Sequence, residues 1–166
     1  MAAYQNPTII ESGRDSQFNA RLLKQYLSTK DQSDVRRTHY FDGRFENVYL
    51  ENEQIPLLAE LKADAKTYAQ SLLGKPIIKM GCWFNAMESG HRTTLHSHDE
   101  DDEQLSGVYY VYAPENSGNL IIHTPGQTIE HQPRAGQWVF FTPQTPHEVE
   151  QNRSEETRLS IAFNFS

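Results

Sequence analysis

Thr94-Leu95-His96-Ser97-His98-Asp99-Glu100, followed by Leu105-Ser106-Gly107-Val108-Tyr109-Tyr110-Val111-Tyr112, decides how this chain reads. The second run is rich in valine and tyrosine, which suit a pleated, half-buried surface. The first ends in two histidines one residue apart. On an extended segment such residues point to the same side. His96 and His98 can therefore grip one metal ion together. The acidic run Asp99-Glu100-Asp101-Asp102-Glu103 sits in the loop between the two segments.

Downstream and upstream of this stretch the texture is the same. Short runs with β-branched and aromatic residues cover 77–87, 93–98, 106–112, 119–123, 127–131, 137–142, 147–151 and 158–165. Ser89-Gly90, Pro114 to Gly118, Pro125-Gly126, Ala135-Gly136 and Pro143 break them. About eight short strands with turns between them are the signature of an antiparallel jelly roll or barrel.

The first 75 residues differ. Asp15-Ser16 can cap a helix over 16–29, with Phe18, Leu22, Leu23, Tyr26 and Leu27 on one face. A second helix runs from Pro56 to Leu73 and stops at Gly74, with Pro76 beyond it. Thr8-Ile9-Ile10 reads as a loose arm or an edge strand. Residues 30–37 read as a loop, and Asp42-Gly43 as a turn before a short strand or turn over 45–50. The expectation is one domain over 1–166: a helical support region, 1–75, and a jelly-roll core, 76–166, carrying the site.

Net charge −7 argues against a general nucleic-acid binder and against anionic membrane surfaces. No long apolar span or export signal is visible, and Cys82 is the single cysteine. These features fit a cytoplasmic protein.

A third histidine, His147, follows Pro143-Gln144-Thr145-Pro146. In a jelly roll its strand can lie face to face with the His96–His98 strand, so the three imidazoles can converge. Imidazole suits iron, zinc, copper or nickel, and open positions with a carboxylate suit non-haem iron(II). Glu100 is the competing ligand, since His98-Asp99-Glu100 is itself a His-x-Glu pair. His39, His91, His123 and His131 lack such partners and read as surface or satisfied core residues. In the last run Arg158, Ser160, Ala162 and Asn164 share one face, and Leu159, Ile161, Phe163 and Phe165 the other. A polar, small face led by arginine suits the lining of a ligand cavity. The guanidinium fork matches a carboxylate, Ser160 can donate a further bond, and Tyr110 can add its phenol.

Together these pieces resemble the double-stranded β-helix core of iron(II)/2-oxoglutarate-dependent oxygenases. The likeness is to the bacterial and phage branch carrying His96-Ser97-His98, Ser106-Gly107-Val108-Tyr109-Tyr110 and an arginine-led closing strand. Pro133 to Phe141 and Pro146-His147-Glu148-Val149 also resemble prolyl-hydroxylase-type relatives. The resemblance implies a mainly β protein with N-terminal helices and a dioxygenase (hydroxylase) activity on a small molecule or peptide. It implies iron(II) on His96, His98 and His147, and 2-oxoglutarate on Arg158 with help from Tyr110 and Ser160. Dioxygen and a further substrate complete the reaction. Most of the wider superfamily uses His-x-Asp or His-x-Glu, which is why Glu100 competes with His96.

A second reading is a cupin-like metal protein that does not use 2-oxoglutarate. It takes His96, His98, Glu103 and His147 as four ligands, with Gly90, Pro133 and Gly136 as supporting motif residues. It leaves Arg158 idle.

Overall fold

The computed structural model describes residues 6–98 and 102–166. In chain order the elements are β1 (Thr8–Glu11), α1 (Ser16–Thr29), β2 (Arg36–Phe41), β3 (Arg44–Tyr49), α2 (Leu57–Leu73), β4 (Met80–Met87), β5 (Thr93–His96), β6 (Leu105–Tyr112), β7 (Leu120–Thr124), β8 (Gln127–His131), β9 (Gln137–Phe141), β10 (His147–Val149) and β11 (Arg158–Phe165). Both helices begin and end for the expected reasons. The Asp15 carboxylate accepts the Phe18 N–H at 2.8 Å, and Gly74 closes α2 in the left-handed conformation at φ 63°.

Two antiparallel sheets face each other. The larger runs β1-β9-β6-β11-β4-β3-β2, and the smaller runs β5-β10-β7-β8. This is the expected jelly roll with N-terminal helices. The first 75 residues are not helical alone, however. They also supply β1, β2 and β3 to the larger sheet. The hairpin turns at Asp42-Gly43, both at positive φ, and the segment read as a loop ends in β2.

The period of two along β11 divides the interior. Leu159, Ile161, Phe163 and Phe165 join a core with Leu22, Tyr26, Leu58, Leu61 and Ala65 of the helices. Tyr109, Trp138 and Phe140 complete it from β6 and β9. Leu22 is fully buried, so Leu22→Ala costs about 2–5 kcal/mol of stability. A second, smaller core of Tyr110, Leu120, Ile122, Val139 and Phe141 lies between the two sheets. The helices thus stiffen the outer face of the larger sheet and leave its inner face free to line a cavity. No helix among the described residues is long and apolar enough to cross a membrane.

Candidate active site

The inner face encloses a cavity of about 450 Å³. His96, His98 and His147 line it, as do Tyr110, Arg158 and Ser160. All six residues singled out in the sequence therefore meet in one space.

The histidines converge by a different route from the one expected. Their strands do not face each other across the barrel. β5 and β10 are neighbours in the smaller sheet, with His147 directly paired to His96. β5 also stops at His96. His98 lies just beyond it, where its backbone N–H reaches the Pro143 carbonyl at 2.8 Å. One ligand nitrogen from each of the three lies within 4.8 Å of the others. Ring centroids are 4.3 Å apart for His96–His147, 5.3 Å for His96–His98 and 5.5 Å for His98–His147.

Two backbone carbonyls set the tautomers. His96 Nδ1 meets the Thr94 carbonyl at 2.8 Å, and His147 Nδ1 meets the Thr145 carbonyl at 2.9 Å. A carbonyl only accepts, so each Nδ1 carries the proton and each Nε2 keeps a lone pair. Burial pushes the His147 imidazole down from 6.5 to about 3, with His96 and His98 adding to the effect. His147 is therefore neutral at any ordinary pH, as a metal ligand must be. Glu100, the competing ligand, lies outside the described residues.

Arg158 stands at the first position of β11 and is only 2% exposed. Its Nη1 donates to the Gly118 carbonyl at 2.6 Å and the Ser117 carbonyl at 3.4 Å. Its Nε is buried with no partner, and among the described residues no carboxylate forms an ion pair with it. Burial accordingly pulls its pKa below the usual arginine value. Tyr110 packs with its ring centroid 5.2 Å from the guanidinium carbon. Its buried hydroxyl lies against the guanidinium and interacts with it, and burial raises its pKa. Ser160 is paired to Tyr110 in the sheet register. An isolated buried charge is costly unless something pairs with it. The chemistry this end asks for is an anion with oxygen acceptors.

The four-ligand set of the second reading is not assembled. Glu103 is absent from the cluster of possible ligands, and its Oε1 accepts from Asn164 Nδ2 at 2.9 Å. Of the remaining histidines, His91 accepts the Glu88 N–H at 3.0 Å, His123 lies 3.9 Å from Glu148 and His131 meets Gln137 at 3.1 Å. His39 is exposed, as expected, although it stands at the edge of the cavity. Arg44 went unnoticed in the sequence. It is buried, and it donates to Asn85 Oδ1 at 2.8 Å and to the Arg92 carbonyl at 3.3 Å. It thus ties β3 to β4 and to the approach of β5. No spacing signal could have found it, because its partners come from three different strands or loops.

A family model described as "Putative 2OG-Fe(II) oxygenase" matches residues 81–164, about half of the chain. The chain belongs to this family. No curated protein matches it in sequence. Among solved structures, a 2OG-Fe(II) oxygenase family oxidoreductase from Burkholderia pseudomallei is 18% identical, with TM-score 0.74, covering 96% of this chain and 84% of that one. A Pseudomonas putida prolyl-4-hydroxylase is 18% identical, with TM-score 0.68, covering 96% and 91%. The viral collagen prolyl hydroxylase of Paramecium Bursaria Chlorella virus-1, in its 2OG complex, is 12% identical, with TM-score 0.68, covering 97% and 96%. At these identities the structures support the jelly-roll fold. The family match makes this protein an iron(II)- and 2-oxoglutarate-dependent dioxygenase.

Proposed function

We propose that His96, His98 and His147 hold the iron of this oxygenase, and that Arg158 holds the far carboxylate of 2-oxoglutarate, assisted by Tyr110 and Ser160. The observation that carries the reading is the buried Arg158 guanidinium, without a carboxylate partner among the described residues, lining the same cavity as the three histidines. A dicarboxylate chelated at one end and paired at the other satisfies both. The donors fit the metal: three nitrogens lie within 4.8 Å of one another, two of them with the Nε2 lone pair set by a backbone carbonyl.

When bound, iron and cosubstrate supply the oxidative decarboxylation that drives hydroxylation, chemistry no side chain can perform. This chain's own residues do the rest. The Thr94 and Thr145 carbonyls hold the His96 and His147 rings in the binding tautomer. The Gly118 and Ser117 carbonyls orient the Arg158 fork, leaving Nε to the anion. Val108, Leu120, Phe141 and Ala162 give the lining an apolar share that helps exclude water. Three neutral ligands leave the site one unit more positive than a set with one carboxylate would, which favours a dianionic cosubstrate. Glu100 remains the rival to His96. The substrate is a small molecule or peptide, and the setting we favour is the cytoplasm, where the free thiol of Cys82 stays reduced.

The test is anaerobic addition of iron(II) and 2-oxoglutarate. The chelate gives a weak visible charge-transfer band, and His147→Ala abolishes it. A protein that binds iron(II) but develops no band with 2-oxoglutarate returns the second, cupin-like reading.

A further inference from the structure

We propose that the end of the cavity opposite Arg158 is a subsite for a positively charged, hydrogen-bond-donating group on the substrate, formed by Glu103, Ser106 and Asn164. The proposal rests on the oxygenase reading above and adds the substrate class to it.

The inner face of β11 begins at Arg158 and ends at Asn164, six residues on, or about 20 Å at the strand rise. Asn164 is fixed at both ends of its amide. Its Oδ1 accepts the Gly81 N–H at 2.9 Å, and its Nδ2 donates to Glu103 Oε1 at 2.9 Å. A Cβ at Gly81 would come within 2.6 Å of Asn164 Oδ1, so a side chain there would have to push this amide aside. The amide thus holds the Glu103 carboxylate by one oxygen. The other, Oε2, is buried and has no partner among the described residues. Ser106 stands beside Asn164 in the register of β6 and β11 and is 4% exposed. Its Oγ is also buried and, among the described residues, unpartnered. All three residues line the cavity. Among the described residues, no lysine or arginine forms an ion pair with Glu103.

Two buried oxygens without donors define what would satisfy them. A carboxylate oxygen accepts only, and a hydroxyl can accept as well as donate. An ammonium group carries three donors, no acceptor and the complementary charge. Trp83, half-buried and paired to Ala162 across β4 and β11, adds an aromatic surface in the same cavity for the cation or its methylene stem. The subsite adjoins the histidines. Phe141 is the register partner of Ser106 on β9, and its ring lies 4.7 Å from that of His147. The cavity thus has a positive pole at Arg158 and a negative pole at Glu103. The first attracts the dianionic cosubstrate and the second repels it, so the two ligands are sorted by charge.

The experiment uses the full chain loaded with manganese(II) and 2-oxoglutarate. The probes are N-acetyl-L-lysine amide and N-acetyl-L-norleucine amide, which differ in one terminal ammonium. Paramagnetic broadening of the probe resonances by manganese(II) gives affinity and proximity together. The lysine probe should bind at least tenfold more tightly than the norleucine probe. Glu103→Gln keeps the acceptor that Asn164 needs and removes the charge. It should abolish the difference while manganese(II) and 2-oxoglutarate affinities stay within twofold. Glu103→Asp should restore part of it. Equal binding of the two probes to loaded wild type, binding of neither, or an undiminished preference in Glu103→Gln overturns the subsite alone. Loss of manganese(II) affinity in Glu103→Gln would make Glu103 a metal ligand and overturn it too. Failure of the wild type to take up manganese(II) and 2-oxoglutarate at all would overturn the proposed function, and the subsite with it.

Discussion

Arg158→Leu separates cosubstrate binding from metal binding, and its size can be worked from the contacts. The guanidinium spends Nη1 on two backbone carbonyls and leaves Nε without a hydrogen bond among the described residues. A charge-assisted bond to a carboxylate contributes about 1.5–3 kcal/mol in a sheltered site. A loss of about 2.7 kcal/mol weakens 2-oxoglutarate about 100-fold. Ligand at 100 times its wild-type Kd stabilises the folded protein by about 2.7 kcal/mol, and the same concentration stabilises the variant by only about 0.4 kcal/mol. For a chain of this size one kcal/mol moves Tm by about 2–4 °C. The wild type should therefore gain about 5–11 °C from 2-oxoglutarate in the presence of manganese(II), and the variant about 1 °C. Metal affinity should be nearly unchanged, since a guanidinium carries only donors and cannot ligate the ion. The ligand-free variant should be close to wild type in stability, because removing an unpaired buried charge offsets the lost carbonyl bonds. Arg158→Lys keeps the charge without the fork and should recover only part of the shift. An Arg158→Leu protein with the full wild-type shift would take 2-oxoglutarate away from this residue.

His147→Ala should lower iron(II) affinity by more than about 100-fold, since even outer partners of ligands cost 10–100-fold, while the far-ultraviolet dichroism stays that of the folded protein. In metal titrations His96→Ala should cost more affinity than Glu100→Ala; the reverse order would give a site of His98, Glu100 and His147. Gly118→Ala should destabilise the protein in denaturant titrations and weaken 2-oxoglutarate. The residue sits at φ 99°, and a Cβ would strike the Glu150 carbonyl, displacing the oxygen that holds Arg158. Metal-free protein should lose stability as pH falls from about 6.5 towards 3. The unfolded chain takes up a proton on His147 in that window, whereas the folded chain does not until about 3. His147→Gln should remove that part of the slope in urea titrations at pH 7 and pH 4.5.

The strands of the core were legible because their patterns are one-sided. β11 alternates without a fault, and its apolar residues face the helices as the period of two requires. Gly74 and Asp15 mark helix ends by chemistry that works locally, so both helices could be read to within a residue or two. The hairpin of β2 and β3 was only half legible. It lies at the open edge of the larger sheet, and most of β2 is partly or fully exposed, so it carries no buried face to betray it. Ile77 misled in the opposite direction. It suits a strand by composition, yet it is 77% exposed and β4 begins only at Met80.

The site divides along the same line between local and non-local information. The histidines and the arginine proposed as ligands could be picked out because such chemistry demands particular side chains. What holds them is backbone from elsewhere: the Thr94 and Thr145 carbonyls on the rings, and the Ser117 and Gly118 carbonyls on the guanidinium. A carbonyl has no residue identity, so no reading of letters could have found these contacts. Gly118 is the nearest to a signal, because only its positive φ and missing Cβ let the β6–β7 connection pass so close to Glu150. The same reasoning explains Glu103. In the sequence it is one acid among five, and any of them could be solvated. In the fold, Asn164 singles it out by holding one oxygen, and the strand pairing that places Ser106 beside Asn164 supplies the second unpartnered group. The specificity proposed at that end rests on a juxtaposition of three strands and a loop, which is information the sheet holds and the sequence only permits.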